Sequence, residues 1–292
     1  ALKRGDYDIF HPTYYNPYFL KYLNGKPFII MAHDTIHETF PEIINLIDNT
    51  LDHKKATLYK ARLIIANSQN TKNDLIQLYN IPPEKIEITY LAASINKSQA
   101  SASLKVDLPE KYILFVGNRD FYKNFNNFIL AVEPLLKENK DMFLICAGGS
   151  LFTNEEKRFF QSKQLENKIL YKAADDITLA TLYTNALAFV FPTLYEGFGI
   201  PALEAMNCDC PVVMSNTSSL PEVGGEAAIY FDPNNIDDMR EKIKSVIINK
   251  DLRDDLILKA KTQRQKFSFE KTAIETKKIY EKLLNNSPYE KI

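Results

Sequence analysis

The sequence predicts an α/β protein with two domains, each built around a parallel sheet, and three observations lead to this prediction. Short apolar runs rich in β-branched residues alternate with helical patterns along the chain, which is typical of parallel sheets covered by helices. The length of 292 residues is sufficient for two domains. Residues 94–109, rich in Ser, Ala and Lys and without periodicity, are typical of a linker between them.

The strands are predicted from apolar runs that end at turn residues, and the helices from apolar residues that recur every three to four positions. In chain order the predicted strands are 8–10, 28–31, 63–66, 86–90, 113–116, 142–147, 169–171, 188–191, 211–214 and 228–231. The predicted helices are 51–61, 71–79, 125–139, 154–163, 178–185, 201–206, 237–249, 252–265 and 269–284. This pattern predicts domains over residues 1–97 and 98–270, followed by a helical segment over 271–292.

The composition and charge argue against several classes of protein. A net charge of −1 and a pI near 6.5 argue against binding of nucleic acid through a basic surface. No apolar run is long enough to cross a bilayer, and we predict a cytoplasmic protein. The three cysteines, Cys146, Cys208 and Cys210, form no Cys-x-x-Cys pair and are typical of packed, reduced thiols.

The most informative stretch is residues 190–206, which read Val-Phe-Pro-Thr-Leu-Tyr-Glu-Gly-Phe-Gly-Ile-Pro-Ala-Leu-Glu-Ala-Met. An apolar strand is followed by a loop with Gly197 and Gly199 and then by good helix formers. Such a loop lets the backbone approach a ligand, and the start of the helix offers free N–H groups to a phosphate. Glu196 and Glu204 are carboxylates that suit sugar hydroxyls, although two solvated acids on a surface loop are the alternative.

In this stretch the chain resembles the retaining GT-B glycosyltransferases with a Glu-x7-Glu motif (family 4, group 1 type). A second matching segment, residues 113–125, reads Ile-Leu-Phe-Val-Gly-Asn-Arg-Asp-Phe-Tyr-Lys-Asn-Phe. In that family a strand ends in glycine, and an arginine and a lysine beyond it grip the donor diphosphate; here these are Arg119 and Lys123. Further segments match in the same order, at residues 33–38, 66–75, 219–233 and 267–273, so the resemblance covers nearly the whole chain.

The resemblance implies a GT-B fold and a site for a nucleoside diphosphate sugar. Glu196 would hold the hexose hydroxyls and Glu204 the ribose, while Arg119 and Lys123 would neutralise the leaving diphosphate. The catalytic residues that it implies are His33, Arg119, Lys123 and Glu196. The donor-binding residues that it implies are Gly117, Asn118, Ala173, Gly197, Phe198, Gly199, Ile200 and Glu204. It also implies a retaining, front-face reaction without a metal ion or other cofactor.

The partners implied by the resemblance are a nucleotide sugar and a glycan or lipid-linked acceptor, without nucleic acid. Many relatives act on lipid-linked acceptors, so a peripheral contact with the inner face of a membrane stays open. The family opens with a complete Rossmann-like domain, and the sequence given contains neither its first strand nor its glycine-rich loop. We therefore expect an incomplete N-terminal Rossmann-like domain, and a second chain that supplies the missing segment stays open as a partner. The last helix is expected to cross back to the first domain.

Two other functions stay open beside the transferase. One is a nucleotide-sugar-binding fragment or subunit without transfer activity. The other is a GT-B relative with different chemistry, such as a sugar-nucleotide epimerase. The set Arg119, Lys123, Glu196 and Glu204 favours a transferase over an epimerase.

Three further groups of residues are candidates for a metal site or for a place on the acceptor side. Asp6 and Asp8 form an Asp-x-Asp pair, but they precede their predicted strand, which favours a solvated role over a metal site. His33 and His37 have the spacing of two zinc ligands on a helix, but no third ligand is evident. His11 ends a predicted strand, and a place on the acceptor side stays open for it.

Overall fold

The computed structural model describes residues 2–43 and 49–285, and the chain divides into two units. The first unit runs to Leu91 and takes up the chain again at Ser268, and the second unit is Ala92–Phe267. Each unit has its own parallel sheet with helices packed against it. No helix within the described ranges is long and apolar enough to cross a membrane.

The first boundary differs from the one that the sequence predicts after residue 97. The residues predicted as a linker pack on the second unit: the Asn207 side chain donates a hydrogen bond to the Ile95 carbonyl at 3.2 Å, and the Ser101 amide donates to Thr181 Oγ1 at 2.9 Å. Ile95 is also buried. A lack of periodicity therefore does not prevent these residues from packing against a neighbouring element.

The first unit contains, within the described residues, a parallel sheet of three strands in the order β1-β2-β3. The strands are β1 Ile29–Ala32, β2 Leu63–Ala66 and β3 Ile86–Ile88. The helices of its N-terminal part are α1 Ile36–Thr39, α2 Thr50–Lys60 and α3 Gln69–Tyr79. Helix α3 begins after Ser68, whose side chain accepts the amide hydrogen of Thr71, and ends at Asn80, which has a left-handed backbone conformation.

The strand predicted at residues 8–10 does not form. Only Phe10 takes part in sheet-like pairing, as a single parallel bridge to Phe28 in which the Ile29 amide donates to the Phe10 carbonyl at 3.0 Å. The pairing stops there because Pro12 follows two positions later and has no N–H to donate.

The second unit contains six parallel strands within the described residues, in the order β6-β5-β4-β7-β8-β9. The strands are β4 Lys111–Val116, β5 Met142–Ala147, β6 Ile169–Lys172, β7 Ala188–Phe191, β8 Val212–Ser215 and β9 Ala228–Phe231. The helices are α4 Phe125–Glu138, α5 Asn154–Ser162, α6 Asp176–Asn185, α7 Ile200–Asn207, α8 Leu220–Gly224, α9 Ile236–Ile248 and α10 Lys250–Gln263. The central strands are almost wholly buried, as expected for a parallel sheet covered on both faces.

The last helix, α11 Phe269–Asn285, belongs to the first unit, so the second boundary lies before Ser268 rather than after residue 270. Its Ile279 and Leu283 are four positions apart and lie on the same face of the helix. They form one buried cluster with residues of the first sheet, among them Ile65 in the middle strand β2. Burial of this apolar face attaches α11 to the first sheet.

The strand order of the second sheet reverses between β4 and β7. From β4 the sheet grows through β5 and β6 to one edge, and from β7 it grows through β8 and β9 to the other. The connections that leave these two neighbouring strands diverge, and a crevice opens outside their carboxyl ends. Ligands of open α/β sheets bind in such crevices, so this edge is where a site is expected.

Candidate functional site

Two loops leave the carboxyl ends of β4 and β7 and carry most of the predicted site. The loop after β4 begins at Gly117 (φ 123°) and ends in a 3-10 turn that places Lys123 just before α4. The loop after β7 contains Glu196 and ends at Gly199 (φ 117°), directly before α7. Both glycines have backbone angles that other residues strongly disfavour. The loops are neighbours because β4 and β7 are paired.

Lys123 and Glu196 form an ion pair across these two loops. Lys123 Nζ donates to Glu196 Oε1 at 2.6 Å, and the two side chains are only 14% and 13% exposed. The ammonium group also lies 4.9 Å and 5.4 Å from the ring centroids of Tyr122 and Phe191. Burial by itself lowers the pKa of Lys123, but Glu196 and Tyr122 outweigh it and raise that pKa above its ordinary value. A cation and a carboxylate predicted from separate motifs therefore meet at the point where the strand order reverses.

Thr193, which the sequence analysis did not single out, joins the two loops. Its side chain is fully buried, and its hydroxyl lies 3.1 Å from the Tyr122 carbonyl and 2.9 Å from the Tyr195 carbonyl. The Leu194 amide donates to the same Tyr122 carbonyl at 2.7 Å. A hydroxyl residue two positions after a buried strand was the available signal, because such side chains bond to nearby backbone.

Two serines after β8 hold the backbone around Glu196. Ser218 Oγ accepts the amide hydrogen of Glu196 at 2.9 Å. Ser219 is fully buried, and its hydroxyl lies 2.9 Å from the Glu196 carbonyl and 2.7 Å from the Phe198 carbonyl. The Glu196 carboxylate is therefore positioned by a third loop, to which the sequence assigned no role in the site.

The N-terminus of α7 follows Gly199 directly and has no side-chain cap. Space is tight there, because a Cβ atom at Gly199 would lie 2.9 Å from Cδ2 of Leu220. Uncapped N–H groups in the first turn of a helix attract anions, and Ile200 at this end is exposed. Phe198, another predicted donor-binding residue, has a buried ring that lies edge-on against Phe267, with a centroid distance of 5.7 Å.

The described polar contacts of the Arg119 side chain are with residues 150–156. Its guanidinium forms an ion pair with Glu156, donates through Nη2 to the Ser150 carbonyl at 2.8 Å and lies 5.0 Å from the ring centroid of Phe152. The Arg119 side chain is 5% exposed. These contacts connect the loop after β4 to the start of α5. A role for Arg119 on the donor diphosphate stays a prediction, and its described contacts are those of a residue that holds a loop.

The other predicted donor-binding residues lie at the same edge of the sheet. Asn118 is exposed in the loop after β4, and Gly149 approaches this loop so closely that a Cβ there would lie 3.0 Å from the Gly117 carbonyl oxygen. Ala173 is exposed after β6, two strands away from β4. Two strand spacings are about 9–10 Å. A ligand that reaches both Lys123 and Ala173 must therefore be an extended molecule.

Glu204 lies in α7 and is largely buried. The Tyr183 hydroxyl donates to Glu204 Oε2 at 3.2 Å. Burial is the main cause that raises the pKa of Glu204 to about 7; the Tyr183 hydrogen bond opposes this effect and Asp176 adds to it. The carboxyl group is therefore partly protonated near neutral pH. In its protonated form it can donate a hydrogen bond as well as accept one.

The raised pKa of Glu204 predicts a stability that falls as pH rises from about 4.5, the ordinary value, to about 7. In this range the folded state retains a proton that the unfolded state has released, so deprotonation favours unfolding. We expect Glu204→Gln to be more stable than the wild type above pH 7, by on the order of 2 kcal/mol, and to differ little near pH 4.5. Urea unfolding at both pH values measures this. The exposed control Glu241→Gln should follow the wild type, and parallel pH profiles for Glu204→Gln and the wild type would contradict the prediction.

His33 directly follows β1 in the first unit and is held there through its backbone. Its amide donates to the Tyr15 hydroxyl at 2.9 Å, and the Asn67 side chain donates to its carbonyl at 2.7 Å. Burial is the main cause that lowers the pKa of His33, so a neutral imidazole is expected at pH 7. Burial also lowers the pKa of His11, whose Nδ1 lies 2.7 Å from the Tyr280 hydroxyl.

A buried charge network lies next to His33 and was not predicted. Lys54 has no exposed side-chain surface, and its Nζ lies 2.9 Å from Glu38 Oε1 and donates to the Asp34 carbonyl at 3.0 Å. The Tyr79 hydroxyl also donates to Glu38, at the same oxygen Oε1. Lys54 therefore ties α2 to the residue that follows His33. One lysine among the three of this helix carries no sequence signal of burial.

Family models match the chain along almost its whole length. The model described as glycosyl transferases group 1 matches residues 96–263, and the model described as glycosyltransferase family 4 matches residues 1–95. The first match spans Lys123, Glu196 and Glu204, and the second spans His33.

Curated proteins with similar sequences are glycosyltransferases. The chain is 29% identical to O-antigen chain mannosyltransferase B of Escherichia coli, over 95% of this chain and 75% of that protein. It is 30% identical to an N-acetylgalactosaminyltransferase of Campylobacter jejuni, whose name includes a diphospho-undecaprenol acceptor, over 73% of this chain and 58% of that protein.

Solved structures with a similar fold have low sequence identity. Sucrose-phosphate synthase from Thermosynechococcus elongatus matches with a TM-score of 0.80 and 21% identity, over 96% of this chain and 75% of that one. Anabaena HepE, in complex with UDP and glucose, matches with a TM-score of 0.78 and 18% identity, over 96% of this chain and 78% of that one.

Proposed function

The chain belongs to the glycosyl transferases group 1 family and is a glycosyltransferase with the GT-B fold, and from this premise we propose that it is a retaining hexosyltransferase. It takes a hexose from a nucleoside diphosphate sugar and transfers it to a glycan or a lipid-linked acceptor. The relatives support this acceptor class, since one is named an O-antigen chain mannosyltransferase and another carries diphospho-undecaprenol in its name. We place the reaction in the cytoplasm, at the inner face of the membrane when the acceptor is a lipid.

The Lys123–Glu196 ion pair is the observation that carries this proposal. In the protein without ligand the two charges neutralise each other at 2.6 Å. A sugar diphosphate offers each of them a better partner, because its phosphates attract the ammonium and its hydroxyls donate to the carboxylate. Donor binding therefore exchanges one internal ion pair for two contacts with the ligand, on opposite parts of the same molecule.

The charge on the leaving diphosphate is neutralised by groups of the chain itself in this proposal. Lys123 supplies a full positive charge, and the uncapped N-terminus of α7 supplies a partial one. Charge that develops as the glycosidic bond breaks is stabilised best by groups that are already in place. We propose on this basis, and on the family resemblance, that no divalent metal is needed. The role of His33 in catalysis rests on the resemblance alone.

Titration calorimetry with UDP, GDP and ADP tests the donor site. We expect one of the three nucleotides to bind the wild type and to lose at least about tenfold in affinity in Lys123→Ala. The matched control is Lys137→Ala, an exposed lysine of α4 whose described ion pair is with Glu133. The same titration with EDTA present should be unchanged.

Product analysis then separates the transferase from its alternatives. Incubation with the matching nucleotide sugar and a panel of glycan and lipid-linked acceptors should give a product whose anomeric configuration, read by NMR, equals that of the donor. Nucleotide binding without any product would favour the binding subunit, and release of an epimerised sugar nucleotide would favour the epimerase. Inversion of configuration would contradict the retaining mechanism.

A further inference from the structure

A cavity of about 980 Å³ lies in the first unit at the amino ends of β1, β2 and β3. It is lined by residues that directly precede these strands and by the end of α2. This cavity, here called the amino-end pocket, carries the charged side chains Lys26, Lys60, Arg62, Glu84, Lys85 and Lys282. His33 follows the other end of β1, and four residues of strand separate the two ends by about 13 Å. The pocket is therefore distinct from the residues that the family resemblance assigns.

The charges of the amino-end pocket are not balanced by the residues that the structure describes. Lys282 forms an ion pair with Glu87. Among the described residues, none of the other four cations, Lys26, Lys60, Arg62 and Lys85, forms an ion pair. Glu84 is the one carboxylate in the lining, so four unpaired cations face a single acid. Like charges held together in a concave surface repel each other unless an anion enters.

Two of the cations are fixed by the backbone in a way that leaves a donor for a ligand. Lys85 Nζ donates to the carbonyls of Leu58 and Tyr59 at 3.1 and 2.8 Å, and Lys26 Nζ donates to the Gly5 carbonyl at 2.7 Å and also to Tyr7. Each ammonium has three N–H donors, so each retains one. Because carbonyl groups carry no net charge, they position these two ammonium groups without neutralising them. Binding of an anion then costs little further side-chain entropy.

We propose that the amino-end pocket binds a phosphate-bearing anion. Phosphate groups carry several charges on a few oxygen atoms, and this matches a set of cations that converge from three strand ends and a helix end. Burial and the nearby Arg62 lower the pKa of Lys85, and a bound anion would reverse this effect. The pocket floor is apolar, with Leu23, Phe28 and Leu63. It therefore accepts either a free phosphate compound or a phosphate headgroup with part of its lipid.

The variant Lys60→Glu/Arg62→Glu tests the pocket, because both side chains are exposed and neither makes a described structural contact. The matched control is Lys55→Glu/Lys278→Glu, with the same change of charge on exposed lysines of the same unit that lie outside the pocket. Calorimetric titration with inorganic tripolyphosphate should show binding to the wild type and the control. In the pocket variant we expect a loss of at least about tenfold. Co-sedimentation with phosphatidylglycerol vesicles, beside phosphatidylcholine vesicles, forms the second arm.

The two arms identify the source of the phosphate. Pocket-dependent binding of tripolyphosphate alone indicates a free anion, and pocket-dependent binding of phosphatidylglycerol vesicles indicates a lipid headgroup. Equal losses in the pocket variant and the control, or no loss in either arm, would overturn the proposal. Lys123→Ala is titrated in parallel with tripolyphosphate and with the donor nucleotide. If the proposed donor site is wrong, the wild type does not bind the nucleotide. If the proposed pocket is wrong, Lys60→Glu/Arg62→Glu binds tripolyphosphate as tightly as the wild type does.

Discussion

Lys123→Ala is expected to lower kcat for sugar transfer by about 10²–10³-fold, the loss seen when a single preorganised group that stabilises developing charge is removed. Lys123 is the one predicted phosphate ligand that lies within hydrogen-bond distance of Glu196 at the reversal of strand order. Its removal also takes a positive charge away from the Glu196 carboxylate, whose side chain is only 13% exposed. Steady-state kinetics with the donor identified by calorimetry, at saturating acceptor, measures the effect.

A second variant separates the two contributions of Lys123. Glu196→Gln keeps an oxygen acceptor but removes the charge, so Lys123 stays available for the diphosphate. We expect this variant to bind the nucleoside diphosphate at least as tightly as the wild type, while transfer of the hexose falls. Lys137→Ala is the control for loss of a lysine in the same unit. Equal kcat values for Lys123→Ala and Lys137→Ala would contradict the assignment of the donor site to the Lys123–Glu196 pair.

Lys54→Met is expected to destabilise the first unit by about 3–5 kcal/mol, the cost of breaking a buried ion pair on one side. Lys54 has no exposed side-chain surface, and without it Glu38 retains only the Tyr79 hydroxyl as a described partner for a buried charge. The chain contains no Trp, so urea unfolding is followed by far-UV circular dichroism. We expect the transition of the first unit to move to lower urea concentration.

The double variant Lys54→Met/Glu38→Gln shows whether the unpaired charge is the cause. Because the carboxylate is then removed together with its partner, we expect the double variant to recover much of the lost stability. Lys55→Met, next in sequence and exposed, should have little effect. A double variant as unstable as the single one would mean that the packing of the Lys54 side chain, and not its charge, stabilises the unit.

Most of the fold could be predicted from the sequence because the patterns that indicate strands and helices are local. Apolar runs such as 142–147 and 188–191 coincide with β5 and β7, since a strand buried on both faces must be apolar at every position. The strand predicted at 8–10 failed because pairing requires a continuous partner, and Pro12 interrupts it. Residues of the predicted linker pack on the second unit through contacts that are distant in sequence, such as the hydrogen bond from Asn207 to the Ile95 carbonyl.

Only part of the candidate site could be predicted from the sequence. Lys123 and Glu196 were predicted from two motifs, but their contact spans 73 positions in the chain and depends on the pairing of β4 with β7. Arg119 was predicted beside Lys123, and the structure pairs it with Glu156, which carried no motif. Thr193 and Ser219 were missed because a hydroxyl becomes important only when a backbone carbonyl from another loop approaches it.

The sequence by itself determined the parallel α/β architecture, the two glycine loops and the residue types of the proposed sugar nucleotide site. Periodicity and turn chemistry act over a few residues, and so they can be read along the chain. The tertiary structure alone decided which charged groups meet and which are buried. It brings Lys123 and Glu196 into an ion pair and raises the pKa of Glu204 to about 7. It also gathers in the amino-end pocket four cations that form no ion pair among the described residues. These properties depend on distance and solvent exclusion between residues far apart in sequence, because electrostatic energy is set by the space around a charge.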